Sequence, residues 1–67
     1  KERETMTFAN AKQIDRAFKA VGIVALALRH DRCWVIIERS QLVAIADDFD
    51  DICREAERMI EAQLMAN

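Results

Sequence analysis

Ile23-Val24-Ala25-Leu26-Ala27-Leu28-Arg29-His30-Asp31-Arg32-Cys33-Trp34-Val35-Ile36-Ile37 is the stretch on which the fold turns. Two apolar runs flank four polar residues. The second run is β-branched and aromatic, the composition that fits a pleated strand. The first, Ala-Leu-Ala-Leu, would also suit a helix. A hairpin with His30 and Asp31 at its tip accounts for both runs, although the turn lacks the Asn-Gly or Asp-Gly of the strongest hairpins.

On the N-terminal side, Phe8, Ala11, Ile14, Phe18 and Val21 recur at three- and four-residue steps. Lys12, Asp15, Arg16 and Lys19 fill the other face, so a helix is expected over residues 7–21, capped by Thr5 or Thr7. Gly22, the only glycine, stands where a helix stop residue belongs. On the C-terminal side Ser40 reads as an N-cap, followed by one long helix to about Met65. Leu42, Ile45, Ala46, Phe49, Ile52, Cys53, Ala56, Met59, Ile60 and Leu64 are its apolar positions, and all but Leu64 fall on three heptad rows that make a stripe broad enough for more than one neighbour. The expected fold is α+β: helix, β-hairpin and long C-terminal helix in one domain over residues 7–67, behind a frayed lead-in over 1–6.

Such a chain has too much apolar surface to stand alone. Val24, Leu26 and Leu28 point to one side of the first strand and Ile23, Ala25 and Ala27 to the other; Cys33, Val35 and Ile37 oppose Trp34 and Ile36. Both hairpin faces are therefore apolar, whereas a half-solvated sheet alternates apolar with polar. A helix of about 25 residues runs ~37 Å and a seven-residue strand only ~23 Å, so the helix overhangs the hairpin. An intertwined homodimer buries the excess, with Leu42, Ile45, Phe49, Ile52, Ala56, Met59 and Ile60 as its interface.

Composition removes many functions. The chain has 67 residues, 52% apolar and 33% charged, with no proline, two cysteines and net charge −2. The single glycine and absent proline exclude a flexible linker and a collagen repeat, and the apolar fraction and small net charge disfavour intrinsic disorder. The longest uncharged stretch, Ala20 to Leu28, is nine residues, against about 20 for a bilayer span. With no signal-like start and two cysteines, a cytoplasmic setting is expected. His30, Cys33 and Cys53 are too few for a structural zinc site. Both cysteines fall on apolar stripes where thiols are inert, and one glycine makes no phosphate loop. No catalytic residue, metal or cofactor is expected.

Charge is distributed unevenly: residues 1–39 carry +3 and residues 40–67 carry −5. Lys12, Arg16 and Lys19 form one basic helical stripe, which with Lys1 and Arg3 could contact phosphates. An acidic chain without a nucleic-acid motif weighs against that use, and a solvated helix face explains the stripe equally well. Asp47-Asp48-Phe49-Asp50-Asp51 is the most unusual local feature. It too can be a solvated face. Its functional reading is a surface for a basic protein, with carboxylates in the place of phosphates. Glu55 extends that surface, and Trp34 is either core or an anchor in a partner's pocket.

The compact length, the centre AFKAVGIVALALRHDRCWVIIERS (residues 17–40) and the acidic DDFDD helix start resemble very small bacteriophage-encoded inhibitors of host regulators, of the anti-activator or anti-CRISPR type. The resemblance lies in organisation and transfers no residue role. It implies a dimer that occupies the DNA-binding surface of a transcription regulator. The expected function is therefore a non-catalytic, homodimeric inhibitor that binds a basic host protein. The competing readings are a DNA-binding accessory protein using Lys12, Arg16 and Lys19, and a purely structural dimerisation module.

Overall fold

The computed structural model describes residues 8–66. Five elements follow one another: α1 (Ala11–Ala20), β1 (Ala25–His30), β2 (Cys33–Glu38), β3 (Gln41–Ala46) and α2 (Phe49–Ala66). The fold class is α+β, a helix, a three-stranded antiparallel sheet of order β1-β2-β3, and a C-terminal helix. The lead-in over 1–6 and the caps Thr5 and Thr7 lie outside the described residues.

α1 begins at Asn10, whose side-chain oxygen accepts from the Gln13 N–H at 3.1 Å. Gln13 Oε1 in turn accepts from the Ala9 N–H at 2.8 Å, so two otherwise orphaned donors are satisfied reciprocally. The helix ends as Gly22 requires. With φ +83, Gly22 donates to Lys19 O at 3.1 Å, and Ile23 donates to Phe18 O at 2.8 Å. This is the paired-bond Schellman ending, and its Phe18 and Ile23 side chains both enter the core.

The two sheet turns differ from the first helix's ending in using no glycine. Asp31 turns the β1–β2 hairpin at φ 61. At the β2–β3 hairpin Arg39 and Ser40 stand at φ 50 and 70, the doubly left-handed pattern of a type I′ turn. That second hairpin corrects the expected long helix from Ser40. Residues 41–46 are β3, and α2 starts only at Phe49. The physical reason is that a two-stranded hairpin is marginal in water while a third strand with a covered face makes it stable. Leu42, Ile45, Ala46 and Phe49 have helical spacing, but Val43 and Ile45 are β-branched and pair well on a sheet. The expected α-β-β-α order is thus α-β-β-β-α.

Register assigns the faces. Leu26 faces Ile37, Leu28 faces Val35 and Val35 faces Ile45. Ala27 faces Ile36 and Ile36 faces Ala44 on the opposite side. Beyond Ile36 the ladder shifts, so that Ile37 meets Leu42 and Val43 is the extra residue of a bulge. Both helices pack on the inner side, against Ala25, Ala27, Trp34, Ile36, Ala44 and Ala46. Ile14, Phe18, Ile36 and Ile52 are fully buried between them, with Ala56 and Ile60 behind. Asp15 on α1 accepts from the Ala27 N–H at 2.8 Å and so fastens the helix to the edge of β1.

Candidate functional site

The side of the sheet away from the helices carries Val24, Leu26, Leu28, Val35, Ile37, Leu42 and Ile45. None of these belongs to the core between sheet and helices, or packs against it, among the described residues. Val24, Leu26, Leu42, Val43 and Ile45 are 60%, 44%, 59%, 46% and 62% exposed. Val35, at the centre, is only 5% exposed, because Leu28 and Ile45 flank it in register. The result is a continuous aliphatic surface across three strands. Single exposed apolar residues are ordinary, but a contiguous sheet face of them marks an interaction surface. A shallow groove of about 350 Å³ along Leu42, Val43, Ala44, Ile45 and Glu55 carries the surface round the β3 edge towards α2.

The residues expected to form a dimer seam on one helix are divided between two places. Leu42 and Ile45 lie on β3 and are exposed. Ile52, Ala56 and Ile60 are buried in the chain's own core, with Phe49 and Met59 packed against it. The helical overhang shrinks accordingly. α2 has 18 residues, ~27 Å, against ~20 Å for a six-residue strand, and the protruding end exposes Leu64 and Met65. Val43 escaped sequence reasoning because the segment read as helix. Its signal was the β-branched Val43-x-Ile45 pair.

The acidic residues sit at the start of α2, and part of their charge has a local use. Asp48 Oδ1 accepts from the Asp51 N–H at 2.9 Å as an N-terminal cap. Asp50 and Asp51 occupy the first turn, where the helix dipole favours carboxylates. Asp51 pairs with Arg54 at 3.2 Å and Glu55 with Arg58 at 3.6 Å, exposed contacts worth little in stability. Asp47 and Asp50 are exposed. Trp34 is half-buried on the inner face, its ring 5.0 Å from Phe49 at an interplanar angle of 63°. It packs against the core from the inner face.

Lys12, Arg16 and Lys19 are all exposed on α1. His30 and Cys33 are paired across the tip of the first hairpin, and Cys53 is half-buried on α2. Burial pushes the Cys53 thiol above its ordinary value of 9.0, Asp50 adds to the rise, and a backbone hydrogen bond from Phe8 opposes both. Such a thiol stays protonated and is a poor nucleophile near neutral pH. Among the described residues no group of three or more His, Cys, Asp or Glu is placed to hold a metal ion. No helix among them is long and apolar enough to cross a membrane.

Comparison with known proteins yields no matching family model, no matching curated protein and no matching solved structure.

Proposed function

We propose that this chain is a non-catalytic protein-binding module that works as a homodimer and inhibits a basic regulatory protein. The observation that carries the reading is the aliphatic outer sheet face, with Val24, Leu26, Leu42, Val43 and Ile45 left 44–62% exposed. Exposing that much aliphatic surface is costly in water at about 25 cal/mol per Å², and association recovers it. The surface left for a partner is the acidic start of α2, where Asp47 and Asp50 project beside the capping Asp48 and the paired Asp51 and Glu55. Opposite charge on a DNA-contacting surface would accelerate encounter and fix its orientation. The same role fits the resemblance to small phage-encoded antagonists of host regulators, acting in the cytoplasm.

Affinity capture from a bacterial lysate, with bait carrying Asp47→Lys and Asp50→Lys alongside the wild type, tests the reading. One basic protein held by the wild type and lost by the variant supports it. Retention by both baits, or recovery of nucleic acid alone, removes it. The second reading, phosphate contact through Lys12, Arg16 and Lys19, has their common exposure on α1 in its favour. It predicts DNA binding that weakens steeply with salt and disappears when the three are changed to alanine.

A further inference from the structure

We infer that the outer sheet face is covered by the same face of a second copy, giving a four-layer dimer with helices outside and two sheets packed together within. The inference rests on the protein-binding reading above and specifies its first partner.

Three observations select a second copy. The first is chemical. The outward positions Val24, Leu26, Leu28, Val35, Ile37, Leu42 and Ile45 supply no charge and no hydrogen-bonding side chain, and only His30 and Cys33 at the hairpin tip depart from this. A nucleic acid or a charged peptide would lose its own hydration against such a face and gain no polar contact in return. An equally flat, aliphatic surface suits it, and the chain itself provides one. A two-fold axis makes the match automatic, since one patch meets its identical copy.

The second is the distribution of side-chain size. The inner face uses alanine at 25, 27, 44 and 46, which lets the helices approach closely, whereas the outer face uses leucine, isoleucine and valine. Interdigitating large aliphatic side chains between sheets about 10 Å apart is how sheet sandwiches are filled. The third is area. Three strands at ~4.8 Å spacing and six residues at ~3.3 Å make a face of roughly 14 by 20 Å. Two such flat outlines cover roughly 560 Å²; with the exposed side chains of Val24, Leu26, Leu42, Val43 and Ile45 standing out from them, the pair buries on the order of 1,000 Å², the lower limit for a specific interface.

Sedimentation equilibrium from 1 to 500 µM, together with thermal unfolding over the same range, tests this. The expected species is twice the 7.7 kDa of the chain, with a melting temperature that rises with concentration. Leu26→Lys combined with Ile45→Lys, both at exposed positions, should weaken association at least ~100-fold while the circular dichroism spectrum is retained. A wild type of 7.7 kDa at every concentration overturns the inference, and so does a double variant that remains dimeric. Co-sedimentation of a monomeric wild type with anionic lipid vesicles overturns it in favour of a membrane surface. The lysate capture with Asp47 and Asp50 variants is independent of these outcomes. A monomer that still captures a basic protein through those residues keeps the protein-binding reading and loses only the second copy.

Discussion

The two faces of the sheet reverse the usual allocation of side-chain bulk. The covered face carries alanine at 25, 27, 44 and 46 beside Trp34 and Ile36, while the uncovered face carries leucine, isoleucine and valine. Helices supply the bulk on the covered side through Ile14, Phe18, Ile52 and Ile60, so the strands there must be slim. On the other side the strands supply the bulk themselves. Burial in a single copy thus identifies the folding core, and the bulk on the outer strands is what the proposed second copy would cover.

That contrast can be attacked from its strongest point downward. Phe18→Ala removes a fully buried ring from between the helices and the inner face. It should cost about 3–5 kcal/mol in urea unfolding, enough to unfold so small a domain. Ala27→Leu adds bulk where only alanine fits and should cost about 1–3 kcal/mol. Leu26→Ala, the neighbouring residue on the other face, should cost less than about 1 kcal/mol when measured at dilution below association. Equal costs at 26 and 27 would abolish the distinction between the faces.

Smaller effects probe how the helices are held against the inner side. Asp48→Ala deletes the α2 cap and should lower stability by about 1 kcal/mol, whereas Asp47→Ala, which caps nothing, should be near neutral in the same melt. Ser40→Gly relieves a left-handed residue at the hairpin that adds β3, and should raise stability by roughly 0.5–1 kcal/mol. The weakest effect concerns Cys53. Its folded thiol titrates above its unfolded value, so the neutral form stabilises the fold below about pH 9. That contribution is lost as pH rises through the folded value, and Cys53→Ser should flatten this alkaline decline in chemical denaturation.

The sequence made part of this visible. Gly22 marked the end of α1, and the alternation through Ile23–Ile37 showed a hairpin apolar on both sides. The third strand was hidden for two reasons. Arg39 and Ser40 adopt a turn that ordinarily advertises itself with Asn-Gly, and Ser40 doubles as a credible helix cap. Leu42, Ile45, Ala46 and Phe49 then satisfy a helical period while also fitting a bulged strand, because a bulge at Val43 breaks strict alternation. The acidic run was visible as a charge cluster. Its division into a cap at Asp48, an ion pair at Asp51 and exposed carboxylates at Asp47 and Asp50 depends on where the helix starts, two residues after β3.

Asp15 holds the Ala27 N–H at the rim of β1, and this small contact raises the cost of growth by strand addition at that rim. A sheet with two open borders can lengthen without limit and seed fibrils. Here the helix carboxylate already occupies a donor on one border, so a strand added beside β1 would have to displace Asp15 to pair at Ala27.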